Sequence, residues 1–90
     1  MTLNRAFSPN RDAIVRELAG EAVILDLNAG TYFGLNAVGT RIWQLLESDG
    51  RLRPVFDTLC REYDAPAAEI ERDLLELVAQ LVEARLGTIA

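Results

Sequence analysis

Histidine and lysine are absent from this 90-residue chain, and cysteine occurs only once, at Cys60. Without histidine, the chain lacks the side chain that most often serves as a general base near neutral pH and as a metal ligand. Without lysine, it has no side chain for a Schiff base. One cysteine cannot form an internal disulfide or a cysteine-cluster metal site. These absences predict a protein that is not an enzyme and that has no catalytic residue, cofactor or metal.

Basic residues are few, and all of them are arginine. The chain has 14 acidic and 9 basic residues, a formal net charge of −5. Such a surface disfavours nucleic acid and anionic membranes, because their phosphates require a basic face. No apolar run approaches the roughly 18 residues of a membrane helix, and no apolar h-region follows the N-terminus. We therefore expect a soluble cytoplasmic protein with no nucleic-acid or membrane partner.

The length and the 50% apolar content predict one small domain, residues 13–90, after an extended N-terminal arm of residues 1–12. Strand-like segments follow one another with short turns between them. Glycine in Ala19-Gly20 and in Asn28-Ala29-Gly30 favours tight turns, so the three strands form an antiparallel meander. The predicted strands are Ala13–Leu18, Ala22–Leu27 and Thr31–Leu35.

Alternation along the second and third strands predicts which side chains face the core. In the second strand the bulkier set, Val23, Leu25 and Leu27, is predicted to face inward. In the third strand Phe33 and Leu35 are predicted to face inward, and Tyr32 to face solvent.

Apolar residues change to helical spacing after Asn36, which is a favourable N-cap. The first helix is predicted to end at Gly50, and the second to begin at Pro54. The third is predicted to run from Pro66 to about Leu86, with Gly87 as its stop. Nothing later in the chain resembles a fourth strand. The predicted fold is therefore α+β and winged helix-turn-helix-like: a three-stranded antiparallel sheet followed by three α-helices.

A three-stranded meander leaves the third strand with an unpaired edge. An extended peptide can add to such an edge, with main-chain hydrogen bonds for affinity and pockets for specificity. The alternatives are that the N-terminal arm or a second copy covers it. Gly34 within this strand fits either the close approach of another backbone or the need to make room for Trp43 or Tyr32.

The third helix is acidic, with Glu69, Asp73 and Glu76 sharing a face. This pattern fits a solvated helix face best, then contacts with a basic or polar peptide, and only then an acid/base or metal pair. A winged helix often reads DNA with its last helix, but the acids on this helix outnumber its two arginines, Arg72 and Arg85. Because that charge repels phosphate, DNA binding is disfavoured.

Several motifs together carry a family resemblance. They are the Gly-Glu hairpin at 20–21, N-A-G-T-Y-F-G-L-N-A-V-G at 28–39, I-W at 42–43, R-E-Y-D-A-P at 61–66 and E-R-D-L-L-E-L at 71–77. Over residues 13–87 the chain resembles the PqqD family of peptide-recognition domains, the precursor-recognition elements of ribosomally made, post-translationally modified peptides. Within the family, the Y-F-G-L-N and I-W motifs are most similar to those of the stand-alone domains of lasso-peptide pathways.

The resemblance implies a winged-helix domain without catalysis that binds the leader segment of a precursor peptide as an added strand. The domain would present the leader to a leader peptidase, which works with a ring-closing enzyme. By position, the strand and the third helix would supply the peptide-binding residues. These are Thr31, Tyr32, Phe33, Gly34, Leu35, Ile70, Asp73, Leu74, Glu76, Leu77 and Leu81.

Two alternatives stay open from the sequence. One is a precursor chaperone for another peptide-modifying enzyme, such as a radical-SAM enzyme. The other is a structural or regulatory winged-helix domain that dimerises through the same edge.

Overall fold

The computed structural model describes all 90 residues and has five strands and three helices. A three-stranded antiparallel sheet is followed by three helices, which confirms the predicted α+β class. A second sheet of two short strands joins the chain ends. In chain order the elements are β1 (Phe7–Pro9), β2 (Ala13–Leu18), β3 (Glu21–Asp26), β4 (Thr31–Leu35), α1 (Ala37–Ser48), α2 (Leu52–Glu62), α3 (Ala67–Glu83) and β5 (Gly87–Ile89).

The larger sheet has the strand order β2-β3-β4, and the register of β3 with β4 pairs Ala22 with Leu35 and Ile24 with Phe33. Residues opposite each other face the same side of a sheet. Ala22, Ile24 and Leu35 are buried and Phe33 is half-buried, so this side carries the core. The predicted orientation of Phe33, Leu35 and Tyr32 is confirmed, since Tyr32 is 77% exposed.

The predicted inner face of β3 is wrong. Val23 and Leu27 are exposed, whereas the alternate residues Ala22, Ile24 and Asp26 are buried. Asp26 tolerates burial because its carboxylate accepts hydrogen bonds from the backbone N–H groups of the turn that follows, at residues 28 and 29. Side-chain bulk alone therefore selects the wrong set, because the polar residue of the inner face is satisfied locally.

Ala22 also faces inward because α1 packs against it. Its backbone N–H donates to Oγ1 of Thr40 at 2.9 Å, and this bond is buried. Thr40 lies in the first half of α1 and is itself buried. The bond fixes the N-terminal part of α1 on the central strand of the sheet.

A further short strand, β5, follows the third helix and was not predicted, but it covers neither edge of the meander. β5 pairs with β1 in antiparallel register, with Ser8 opposite Thr88. The predicted end of α3 is also wrong, since the helix ends at Glu83 and Arg85 adopts a left-handed backbone with φ 62°. The N–H of Leu86 then donates to Leu81 O, the long bond of a Schellman motif.

Phe7 of β1 inserts into the core and contacts Trp43 edge to face, with ring centroids 6.1 Å apart. A Cβ at Gly50 would overlap the carbonyl of Phe7, and a Cβ at Gly87 would overlap its ring. These two glycines are therefore required by close packing. The prediction that they stop helices is wrong.

The starts of the later helices also differ from the predictions. α2 begins at Leu52, two residues before Pro54, and Arg51 occupies its N-cap position without a side-chain hydrogen bond. Pro66 is the N-cap of α3, so the helix begins one residue later than predicted. Such shifts are within the usual uncertainty of helix ends.

Replacement of Phe7 tests how much the N-terminal residues contribute to stability. Phe7→Ala removes a ring that is only 2% exposed, so we expect the free energy of unfolding to fall by about 3–5 kcal/mol. Ser8→Ala, at the exposed neighbouring position, should change it by less than about 0.5 kcal/mol. Denaturant unfolding of both variants measures the difference, and equal stabilities would contradict this packing.

Replacement of Thr40 tests the link between α1 and the sheet. Thr40→Val keeps the shape but leaves the buried N–H of Ala22 without an acceptor, which should cost about 1–3 kcal/mol. Thr40→Ser keeps the hydroxyl and serves as the control. Chemical denaturation should rank valine as the less stable variant, and the reverse order would mean that the hydrogen bond matters less than the methyl contact.

Candidate peptide-binding groove

A groove of about 440 Å³ lies between β4 and α3, and residues of α1 and its N-cap also line it. β4 contributes one wall with Phe33, Gly34 and Leu35. α3 contributes the other wall with side chains at helical spacing. The complete lining is Phe33, Gly34, Leu35, Asn36, Val38, Gly39, Ile42, Asp73, Glu76, Leu77 and Gln80.

Ten of the eleven residues predicted from the sequence fall into three groups. Phe33, Gly34, Leu35, Asp73, Glu76 and Leu77 line the groove together. Thr31 and Tyr32 are exposed on β4, outside this lining. Leu74 and Leu81 are 0% exposed and belong to the core behind the groove.

Ile70, the remaining predicted residue, lines a smaller adjoining pocket of about 140 Å³. This pocket continues the groove, because Val38, Ile42 and Asp73 line both. Its other lining residues come from α2, the loop after it and α3, and they are mostly apolar. They are Leu59, Tyr63, Ala65, Glu69 and Ile70.

Sequence reasoning missed the groove residues contributed by the start of α1 and by the later part of α3. Gln80 carried a usable signal, since it follows Glu76 by four residues and therefore shares its helix face. Asn36, Val38 and Gly39 directly follow β4, so their position next to the groove follows from the absence of a loop between β4 and α1.

Asn36 sets the direction in which α1 leaves the sheet. Its Oδ1 accepts a hydrogen bond from the N–H of Gly39 at 2.8 Å, which is the bond expected of a helix N-cap. A Cβ at Gly39 would lie 3.2 Å from Cδ2 of Leu35, a tight contact. The missing side chain therefore lets the first turn of α1 lie directly against the end of β4.

The edge of β4 that faces the groove has no partner strand. β4 pairs only with β3, and no other hydrogen bond in the structure involves a residue of Thr31–Leu35. In an antiparallel pair, alternate residues direct their N–H and C=O groups away from the neighbouring strand. The groove therefore contains a row of backbone donors and acceptors that an extended chain can use.

The groove is acidic. Asp73 and Glu76 lie along its α3 wall and Glu69 lines the adjoining pocket, whereas no arginine lines either cavity. Arg72, the base nearest in sequence, makes an exposed 3.4 Å ion pair with Asp73. Such an exposed pair contributes little, so the wall keeps its negative potential.

An ion pair links α1 to the end of α2, close to the smaller pocket. Arg41 Nη2 lies 2.6 Å from Glu62 Oε2, and Arg41 Nε donates to Glu62 Oε1 at 2.8 Å. These hydrogen bonds hold the pKa of the Glu62 carboxyl below its ordinary value and raise the pKa of the guanidinium. The bidentate geometry orients both side chains, but the pair is partly exposed and adds little to the packing of the two helices.

The arrangement suits binding of an extended polypeptide. It combines an open strand edge, half-buried apolar side chains such as Phe33 and Leu77, and acidic side chains at the rim. The structure contains no group of three or more histidine, cysteine, aspartate or glutamate side chains placed to hold a metal ion. None of its helices has the length and apolar character required to cross a bilayer.

Two solved structures closely resemble this chain. The first, TbiB1 in complex with the TbiA(beta) leader peptide, is 38% identical with a TM-score of 0.83, covering 89% of this chain and 93% of the other. The second, lasso peptide synthetase B1 complexed with the leader peptide, is 28% identical with a TM-score of 0.82, covering 92% and 98%. The curated proteins include no match to this sequence.

The family model of coenzyme PQQ synthesis protein D (PqqD) matches residues 21–86 of the chain. The match includes β3, β4 and all three helices, and so every element that lines the groove. Fold, groove and sequence agree on one assignment. The chain belongs to the PqqD family and is a PqqD-like recognition element.

Proposed function

We propose that this protein binds the leader segment of a ribosomally synthesised precursor peptide and presents it for lasso-type maturation. The observation that carries the proposal is the unpaired edge of β4 along a groove whose other wall is α3. A leader strand added to this edge would extend the sheet from three strands to four. Strand addition to a free edge is an established mode of peptide recognition.

The energetics of strand addition favour useful affinity. Four or five ladder bonds contribute a net ~1 kcal/mol each, and two buried apolar side chains contribute ~1.5–3 kcal/mol each. After the cost of ordering the peptide, about micromolar or tighter binding remains.

The two structural neighbours support a leader as the bound peptide, since both are complexes with leader peptides. The first is 38% identical to this chain over most of its length. The family match, over residues 21–86, includes every residue that lines the groove.

Each predicted site residue has a role in the proposal. The backbone of Thr31–Leu35 pairs with the leader, and inward leader side chains contact Phe33, Leu35, Leu77 and Ile70. Leu74 and Leu81, which are fully buried, act from behind by holding α3 at its distance from β4. Asp73 and Glu76 contact basic or polar groups of the leader at the rim. The side chain of Tyr32 faces the outer side of the sheet, away from the groove.

In this role the protein is a binding adaptor and does not itself catalyse a reaction. A leader peptidase, working with a ring-closing enzyme, acts on the presented precursor. The same groove would equally serve a precursor chaperone for a radical-SAM enzyme. The identity of the partner enzyme distinguishes that role from lasso-type maturation. Dimerisation through β4 would occupy the same edge. If the protein dimerises in this way, the peptide and the second copy compete for β4.

Titration with the TbiA(beta) leader peptide tests the proposal, because a 38% identical protein forms a complex with it. Saturable binding is expected at about micromolar concentration. Leu77→Asp places a charge on the apolar wall of the groove and should weaken binding about ten- to hundredfold. Calorimetry measures the affinity of wild type and variants.

Leu75→Asp is the matched control, since Leu75 is also half-buried on α3 but lies outside the groove lining. Leu77→Ala repeats the test with a milder change, and thermal unfolding establishes that each variant is folded. Absence of saturable binding to wild type would contradict the proposed function. Equal weakening by Leu75→Asp and Leu77→Asp would mean that the peptide binds elsewhere.

A further inference from the structure

The side of the larger sheet that faces away from the helices carries several apolar side chains that are exposed or half-buried, and the strand pairing arranges its residues in rows. One row across the three strands is Ile14, Leu25 and Tyr32, and the next is Arg16, Val23 and Gly34. Tyr32 is 77% exposed and Val23 is 38% exposed. Neither Ile14 nor Leu25 packs against the core, so they belong to this outer face.

Gly34 interrupts the outer face at the edge strand. Its backbone φ lies outside the left-handed region, so the conformation does not require glycine. A Cβ built at this position meets no heavy atom within 4 Å, so neither Trp43 nor Tyr32 needs the space. Glycine weakens a strand interior, so its presence here lacks a reason within the folded chain.

A strand added to the edge of β4 would explain why position 34 has no side chain. The residue of the added strand directly opposite Gly34 must face the same outer side, with its Cα about 4.5–5.5 Å away. Its side chain meets no neighbour on Gly34 and can lie across it towards Val23. Tyr32 is its diagonal neighbour on β4, at roughly 7–8 Å, within reach of an aromatic ring. An aromatic residue that covers an edge glycine in this way stabilises the pair of strands.

The size of the outer face argues against a second copy as its occupant. Three strands at about 4.8 Å spacing and six residues at about 3.3 Å give a footprint of about 300 Å². A stable interface takes about 800 Å² from each partner. One side chain from a strand on β4 needs only the hollow over Gly34, which is continuous with the groove edge.

We infer that Gly34, with Tyr32 and Val23 as its borders, is a second recognition site for the leader on the outer face of the sheet. It accepts one large apolar side chain, with an aromatic ring as the best fit. The inference rests on the proposed function, because it needs the leader to lie along β4. The leader is then read on both sides, by the groove on one face and by the hollow on the other.

An alanine scan of the TbiA(beta) leader against wild type and Gly34→Thr tests the inference. Threonine suits a strand and its Cβ meets open space, so Gly34→Thr should unfold at the same temperature as wild type or higher. The unsubstituted leader should bind this variant about fivefold more weakly. Alanine at one large apolar leader position should weaken binding to wild type by a similar factor and have no further effect on Gly34→Thr. In Tyr32→Ser, alanine at that same leader position should weaken binding by less than it does in wild type.

Glu21→Thr is the control, because it places the same side chain on the outer face in the row of Leu18, away from β4. It should bind the leader as wild type does. Unchanged leader binding by Gly34→Thr would overturn the inference while leaving the groove intact. Equal weakening of every peptide by Gly34→Thr would also overturn it, because that result means a block on backbone approach. Failure of the leader to bind wild type would instead contradict the proposed function.

Discussion

The unpaired backbone edge of β4 is the constraint on which the rest of the structure depends. A free edge with Tyr32 and Phe33 on it is a hazard, because any extended chain can pair with it. Here the edge lies along a groove whose other walls are α3 and the first turn of α1. The acidic wall at Asp73 and Glu76 restricts the chain that can pair with it, since it favours basic or polar side chains. The edge is thereby both exposed and selective.

The core holds the elements that form the two walls of the groove. Thr40 accepts a hydrogen bond from the central strand, Phe7 packs on Trp43, and the fully buried Leu74 anchors α3 in the core. Phe7 belongs to β1, which is itself held in place by antiparallel pairing with β5, the last strand of the chain. Because the walls are held by the core, the leader rather than the protein bears most of the ordering cost of binding.

Local chemistry in the sequence was enough to predict the meander, the three helices and the open edge of the third strand, whereas the third helix was expected as the other wall of the site only from the family resemblance. Short-range features can be recognised in a single sequence because each depends on residues that are close together in the chain. Examples are the turn glycines, the Asn36 cap and the acidic face of α3. The pairing of Phe7 with Ile89 cannot be recognised in this way, since strands of three residues far apart in the chain leave no periodic signal. The inner face of β3 was missed because Asp26 is satisfied by its own turn, and the end of α3 because Arg85 occupies a position usually taken by glycine.

Amide hydrogen exchange with and without leader peptide tests strand addition most directly. β2 and β4 are the two edges of the same sheet, so each serves as the control for the other. With saturating leader, alternate amides of Thr31–Leu35 should exchange at least about tenfold more slowly, because new ladder bonds cover them. Amides of Ala13–Leu18 should keep their rates. Protection at β2, or a saturated complex with unchanged β4 amides, would contradict the account.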